Sequence, residues 1–156
     1  MRLKYILNSI SDTYSFAKNP KVIFLNTGDI FAGKILRSTY SDSAYLPGQA
    51  KKRIVNDDIL FSEIRPANQR FALVNVVNPE DYVVSTKLMV LRCFNPNYEV
   101  KYVYDYLTQP RILEELQTLA ESRSGTFPQI TFGEIENLEI PDISIEEQRH
   151  IVDTKC

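Results

Sequence analysis

Four residues around Pro66 carry side chains that can form paired hydrogen bonds with planar ligands. They are Arg65, Asn68, Gln69 and Arg70, and they lie between two apolar segments. Arginine can donate two hydrogen bonds to guanine, and asparagine or glutamine can exchange two with adenine. The same side chains are common in ordinary surface loops. The spacing therefore indicates, without requiring, a connection between strands that contacts nucleic-acid bases.

The strongest basic run in the chain is Lys51, Lys52 and Arg53, and such side chains contact phosphates. Residues 34–70 include seven basic and four acidic residues, whereas residues 134–156 include two basic and seven acidic ones. The whole chain has a net charge of -2, which taken alone argues mildly against nucleic-acid binding. The uneven distribution allows one face to contact nucleic acid and another a protein, although a mixed solvated surface gives the same pattern.

The segment from Gly28 to Lys34 has the spacing of a phosphate-binding loop, G-x-x-x-x-G-K. The next residue is Ile35, where such a loop needs a serine or threonine hydroxyl for Mg²⁺. No helix obviously follows, and we expect Ile30 and Phe31 to lie in the core. We therefore predict a strand, a turn and a second strand here.

Asp81, Glu99 and Lys101 loosely match the carboxylates and lysine of a Mg²⁺-dependent nuclease. Such a site needs carboxylates that converge on the metal ion. Glu99 stands at the start of a predicted helix, where an acidic side chain interacts favourably with the helix dipole. We favour that explanation, and a small nuclease remains an alternative.

The chain contains one histidine, His150, and two cysteines, Cys93 and Cys156. These do not provide a convincing nucleophile–base pair or a zinc ligand set. We expect no catalytic residue, no metal site and no cofactor in this chain. The cysteines do not indicate a disulfide, and we find no signal peptide or membrane span. The sequence thus predicts a cytoplasmic protein without a membrane role.

The hydrophobic pattern changes its period after Cys93. Before that point, apolar runs predict strands, and a long polar loop separates the first two; the strands are at residues 22–25, 59–65, 71–77 and 88–93, and the loop is at 38–50. After it, Val100, Val103 and Leu107 share one helical face, and Pro110 begins a second helix. We expect residues 138–141 to form a short edge strand and a last helix to begin near Ile145. The order predicts an α+β fold with a mixed, mostly antiparallel, curved sheet and flanking helices.

Read in order, several segments resemble the target-recognition domain of type I restriction-modification specificity subunits. They are V-I-F-L-N-T-G-D-I (22–30), I-V-N-D-D-I-L-F-S-E-I-R-P (54–66), V-V-S-T (83–86), S-G-T-F-P-Q-I (124–130), and L-E-I-P (138–141) before E-E-Q-R-H-I (146–151). Their order over residues 20–152 carries the resemblance. It implies a target-recognition domain at 1–143 and the beginning of a spacer helix at 144–156.

The resemblance implies that the chain recognises one half of a split target in double-stranded DNA and catalyses nothing itself. A methylation subunit using S-adenosylmethionine and a restriction subunit using ATP and Mg²⁺ would be its partners, and the full spacer helix could support self-association. The implied DNA-binding residues lie in the basic run, in the loops at 38–45, 65–70 and 123–126, and at Ser62 in the strand before the second loop. They are Thr39, Tyr40, Lys51, Lys52, Arg53, Ser62, Arg65, Asn68, Gln69, Arg70, Arg123, Ser124 and Thr126.

Two features depart from the family. Residues 141–144 read P-D-I-S, where the family usually has a proline-rich step. Members also generally carry two recognition domains, or one domain with a full spacer helix, so we expect this chain to be a half subunit, an excised domain or a truncated product. A protein-interaction module without a nucleic-acid role is a further alternative.

Overall fold

The computed structural model describes residues 1–17, 20–122 and 128–154. Within these residues, ten strands precede four α-helices. The strands are β1 (Leu7–Ile10), β2 (Lys21–Leu25), β3 (Ile30–Phe31), β4 (Lys34–Ile35), β5 (Ser41–Asp42), β6 (Ala50–Arg53), β7 (Ile59–Ser62), β8 (Phe71–Leu73), β9 (Tyr82–Ser85) and β10 (Leu88–Cys93). The α-helices are α1 (Val100–Leu107), α2 (Pro110–Glu121), α3 (Phe132–Ile135) and α4 (Ile145–Thr154).

The strands form two four-stranded sheets and one separate hairpin. The first sheet has the order β1-β10-β7-β8, and all its pairs are antiparallel. The second has the order β5-β2-β9-β6, in which β2 and β9 are parallel. Strands β3 and β4 pair only with each other. This arrangement confirms the predicted α+β fold with mixed, mostly antiparallel sheets.

The central strands of the first sheet are buried on both faces because they separate two cores. Along β10, Met89 and Leu91 belong to the core beneath the helices, while Leu88 and Val90 belong to the core shared with the second sheet. Successive side chains of a strand point to opposite faces, so both sets are apolar. This is why the strand appears in the sequence as a continuous apolar run.

Helices α1 and α2 cover the outer face of the first sheet. Val103 and Leu107 of α1 and Ile112 and Leu116 of α2 are buried in the same core, as their helical spacing predicts. Pro110 is the first residue of α2, where its missing N–H leaves no helical hydrogen bond unmade.

Some local elements differ from the predictions. Residues 7–10 form strand β1 at the edge of the first sheet. Two adjacent residues of this strand, Asn8 and Ser9, are polar and exposed, so the sequence does not alternate between apolar and polar residues there. Strand β8 ends at Leu73 rather than at residue 77. Residues 138–141 contribute one isolated bridge, Arg2 with Glu139, instead of a strand. Short edge segments such as these leave weak periodic signals.

Helix α4 begins at Ile145, as predicted, and packs against α1. The Ser144 hydroxyl accepts a hydrogen bond from the Glu147 amide (3.2 Å), so Ser144 caps the start of the helix. Gln148 is fully buried; it accepts a hydrogen bond from the Glu99 amide (2.8 Å) and donates to the carbonyls of Asn97 and Ile143 (both 3.0 Å). These bonds attach the first turns of α4 to the start of α1. The division between a domain at 1–143 and a spacer helix at 144–156 stays a prediction.

Three tyrosine hydroxyls near α1 bind the segment that leads into α4. Tyr98 donates to the carboxylate of Asp142 (2.7 Å), Tyr102 to the carbonyl of Pro141 (3.1 Å), and Tyr106 to the carbonyl of Glu139. Burial is the main cause that raises the pKa of each of these tyrosines above its ordinary value. The segment before α4 is therefore held along its length by two tyrosines of α1 and by Tyr98, which precedes that helix.

Candidate nucleic-acid interface

The β3–β4 hairpin lies against the connection that contains Arg65, Asn68, Gln69 and Arg70. The amide of Ala32 donates to the carbonyl of Gln69 (2.8 Å), and the amide of Gly33 donates to the carbonyl of Phe71 (3.0 Å). We call this composite surface, made of residues 30–35 and 65–70, the hairpin surface. The structure thus brings the segment predicted to bind bases next to the one that resembled a phosphate-binding loop.

The hairpin surface contains three of the four non-glycine residues with positive φ in the described chain. Their φ angles are 47° for Ala32, 46° for Arg65 and 59° for Gln69; the fourth such residue, Asp57, lies elsewhere. A side chain in this region costs about 1–3 kcal/mol and persists only where surrounding contacts hold it, often at functional sites. Here the bond between Ala32 and Gln69 joins two of these residues directly.

Arg70 is the most constrained basic side chain of this surface. Its Nη1 atom donates to the carbonyl of Ile30 (3.2 Å), and its guanidinium carbon lies 5.2 Å from the centre of the Phe31 ring. Ile30 is fully buried, as predicted, but Phe31 is 44% exposed, so the prediction that Phe31 lies in the core was wrong. Adjacent positions of a strand face opposite sides, and only one of these two faces the core.

The remaining polar side chains of the hairpin surface point to solvent. Lys34, Arg65, Asn68 and Gln69 are all exposed. Neither Lys34, Arg65 nor Arg70 forms a salt bridge with any described residue. The 3-10 helix Pro66–Asn68 between them is buried at Pro66, and its Ala67 amide donates a hydrogen bond to the side-chain oxygen of Gln117 of α2 (3.1 Å). The surface therefore presents unpaired cations and amides on a fixed backbone.

The polar loop at 38–45 continues directly from β4. Thr39 is exposed, and the Tyr40 hydroxyl donates to Asp81 (2.7 Å); this bond is the main cause that raises the pKa of Tyr40. A groove of about 490 Å³ separates residues 33–38 from residues 73–76 and Tyr82. The loop is more ordered than predicted, because residues 41–42 form β5 on the edge of the second sheet.

The basic run at 51–53 belongs to strand β6, and the strand separates its three side chains. Lys51 is exposed. Lys52 is half-buried and donates to the carbonyl of Leu88 (2.8 Å), and burial lowers its pKa. Arg53 forms a salt bridge with Asp12 (3.6 Å). Only Lys51 is thus fully available for an external anion.

Of the remaining predicted residues, one is buried and three are not described by the structure. Ser62 is buried, and its hydroxyl donates to the carbonyl of Ile64 (3.2 Å) and accepts from the Ile64 amide (3.0 Å). Its hydroxyl therefore shapes the turn after β7. Arg123, Ser124 and Thr126 lie outside the described residues.

The three residues considered for a nuclease each bond elsewhere. Asp81 accepts from Tyr40, the Glu99 carboxylate pairs with Arg149 of α4 (2.7 Å), and Lys101 pairs with Asp105 one turn along α1 (3.7 Å). In the described parts of the chain, no three histidine, cysteine, aspartate or glutamate side chains group as metal ligands. The observed contacts explain Glu99 and Lys101 as residues that stabilise helices.

Phe31 and Lys34 are the residues of this surface that the sequence reasoning missed. The signal that could have found them is the two-residue turn Ala32-Gly33, in which both φ angles are positive. Such turns join tight hairpins, and a hairpin places Phe31 opposite Lys34.

No helix in the described ranges is both long enough and apolar enough to cross a membrane. Comparison with protein families matches residues 4–154 to the type I restriction modification DNA specificity domain. The chain is 42% identical over 151 residues to the type I restriction enzyme HindI specificity subunit of Haemophilus influenzae. The aligned region covers 95% of this chain and 32% of that protein. The chain thus spans about a third of the length of this relative.

Two solved structures have the same fold. The HsdS subunit from Thermoanaerobacter tengcongensis superposes with a TM-score of 0.81 at 25% identity, over 98% of this chain and 39% of that one. A chain from a structure on complex assembly and conformational transition of the type I R-M system gives a TM-score of 0.80 at 25% identity, over 98% and 40%.

Proposed function

Because the chain belongs to the family of type I restriction modification DNA specificity domains, we propose that it recognises one half of a bipartite DNA target. It acts as the non-catalytic specificity subunit of a type I restriction-modification complex, or as a half or fragment of that subunit. Methyl transfer, DNA cleavage and ATP hydrolysis belong to other subunits in this proposal.

The hairpin surface is the observation that carries the proposal. It holds the exposed side chains of Arg65, Asn68, Gln69 and Lys34 beside the half-buried Arg70, on a backbone fixed by long-range hydrogen bonds. Contacts to bases specify a sequence, and contacts to phosphates position the protein. A rigid surface with both kinds of side chain suits the two tasks.

Further contacts come from side chains that the structure leaves accessible. We include Thr39, Tyr40, Lys51 and Arg53, all exposed, and Arg123, Ser124 and Thr126 from the sequence alone. Lys52 and Ser62 are left out because their polar atoms bond within the protein. For Arg53, the pairing with Asp12 reduces the charge available to a phosphate.

The partners follow from the same proposal. The chain binds double-stranded DNA together with a methylation subunit, which uses S-adenosylmethionine, and a restriction subunit, which uses ATP and Mg²⁺. It holds no cofactor itself. Helix α4, continued as a spacer helix, is the segment through which copies of the chain would associate.

The proposal is tested by DNA binding of the purified chain. A library of duplexes with a randomised centre is incubated with the protein, and the bound fraction is sequenced through several rounds. We expect a defined motif to be enriched. The Arg65→Ala/Asn68→Ala variant should weaken binding to the selected duplex by about 5–150-fold, equivalent to about 1–3 kcal/mol, and weaken binding to random duplex less.

Lys101→Ala serves as the matched control, because Lys101 is an exposed cation on α1 that pairs only with Asp105 among the described residues. It should leave the selected motif unchanged. If the unmodified chain enriches no sequence, the chain does not recognise DNA by itself and the proposal is wrong.

A further inference from the structure

The Arg70 side chain is held from two directions before any ligand is bound. The carbonyl of Ile30 accepts one hydrogen bond from its guanidinium, and the Phe31 ring lies under the guanidinium plane at 5.2 Å. A guanidinium carries five N–H donors, so most of them remain available. A side chain that is already ordered loses less entropy when it binds.

The backbone beneath Arg70 is equally constrained. The Ala32 and Gly33 amides are bonded to residues on either side of Arg70, namely Gln69 and Phe71. A methyl group at Gly33 would lie 3.1 Å from the Tyr104 hydroxyl of α1, and Gly33 has a φ of 91°. The hairpin turn thus packs on the domain at a glycine and keeps Phe31 in place.

We propose that Arg70 reads a guanine in the target, that Phe31 is the positioning residue that orients its guanidinium, and that Lys34 contacts a phosphate beside that base. This inference rests on the proposed DNA recognition and adds the β3–β4 hairpin to it. Arginine that binds guanine through two parallel hydrogen bonds is the commonest specific contact in the major groove. Lys34 lies opposite Phe31 in the hairpin and has no salt-bridge partner in the described chain, so it can neutralise a phosphate.

The charge of the surface favours DNA over an apolar partner. Lys34, Arg65 and Arg70 lie together without salt bridges to described residues, and the Arg70 guanidinium lies over one face of the Phe31 ring. A protein partner that docks on Phe31 would have to displace that cation. A phosphate backbone is attracted by it.

The test compares four variants of the intact chain in the duplex selection described above. Arg70→Lys keeps the charge but removes the planar pair of donors, so the preference for one guanine should fall about tenfold. Phe31→Ala should lower the same preference, and Phe31→Tyr should restore it. Lys34→Ala should weaken binding to selected and random duplexes alike and reduce the slope of log affinity against log salt by about 1.

Tyr5→Ala is the matched control for Phe31→Ala. Tyr5 is 54% exposed and lies 5.1 Å from the Lys4 ammonium, so the change removes an exposed aromatic ring from beneath a cation elsewhere on the protein. It should leave the selected motif unchanged. Urea unfolding of each variant verifies that the domain remains folded.

The outcomes separate the two proposals. A wild-type chain that enriches no motif overturns the proposed function, and this inference falls with it. A wild-type motif that Arg70→Lys and Phe31→Ala both reproduce overturns this inference alone. A uniform loss on all duplexes in Arg70→Lys or Phe31→Ala would make Arg70 a phosphate contact and also overturn it.

Discussion

Replacing Gln148 should detach α4 from the domain, and the structure allows the cost to be worked out. The side chain is fully buried and makes three hydrogen bonds, to the Glu99 amide and to the carbonyls of Asn97 and Ile143. A buried polar group left without a partner costs about 1–3 kcal/mol. Water can reach some of these groups after truncation because Asn97 is exposed. We therefore expect Gln148→Ala to lower the free energy of unfolding by roughly 2–4 kcal/mol, less than three full penalties.

Two measurements check this expectation. Urea or thermal unfolding reports the stability of the whole domain. In thermal unfolding, the melting temperature should fall by about 5–10 °C for a chain of this size. Amide hydrogen exchange reports whether α4 opens by itself, and its amides should exchange faster in the variant. Gln148→Met separates the causes, since it keeps most of the volume and loses all three hydrogen bonds. A Met variant nearly as destabilised as the Ala variant would assign the effect to the bonds.

Gln49→Ala is the matched control, because Gln49 is exposed and no described residue bonds to its side chain. A change at such a position should stay within about 0.5 kcal/mol of the wild type. If Gln148→Ala is as stable as Gln49→Ala and the amides of α4 stay protected from hydrogen exchange, then Gln148 does not attach α4 to the domain, and the reasoning is refuted.

Three other perturbations have defined outcomes. Arg92→Ala should lower the free energy of unfolding by about 3 kcal/mol, because the fully buried Asp58 carboxylate loses its two hydrogen bonds from the guanidinium (2.7 and 2.9 Å). A free energy of unfolding in urea within about 1 kcal/mol of the wild type would contradict this. Burial raises the pKa of Tyr104 to about 12, so the folded state keeps a proton that the unfolded state loses from about pH 10 upward. Stability should therefore fall as the pH rises through this window, and Tyr104→Phe should make the fall in urea midpoint less steep; an unchanged slope would count against it. Lys51→Ala should reduce the slope of log affinity for DNA against log salt by about 1. Lys52→Ala should leave that slope unchanged and lower the urea midpoint instead, since Lys52 bonds to the carbonyl of Leu88. Equal salt slopes in both variants would refute the distinction.

Much of the candidate site was predictable as segments but not as a surface. The Arg65–Arg70 connection was found because its side chains have a recognisable chemistry. The β3–β4 hairpin was predicted as strand, turn and strand, yet its role was missed because Phe31 was assigned to the core. The basic run was noted as charge, and its strand conformation, which turns Lys52 inward, was not. Each of these errors concerns the side of an element on which a residue lies.

The amino-acid sequence by itself indicated the central strands, the helices and their order. Central strands appear as continuous apolar runs because both their faces are covered, helices α1 and α2 repeat apolar residues at helical spacing, and Ser144 and Pro110 mark helix starts. Those signals are local, because they arise from backbone preferences and from which faces need burial. They were sufficient to indicate the fold class, whereas the family was indicated by the resemblance of whole segments in their order over residues 20–152.

Only the tertiary structure decided which residues share a surface. The hairpin meets the 65–70 connection through hydrogen bonds between Ala32 and Gln69 and between Gly33 and Phe71, and no local pattern encodes such pairings. In the sequence, Gln148 is one of several polar residues in a helix, and only the packing of α4 against α1 shows that it is buried. Contacts between distant segments depend on how sheets and helices pack together, so the physical neighbours of Arg70 and Gln148 emerge only when the chain has folded.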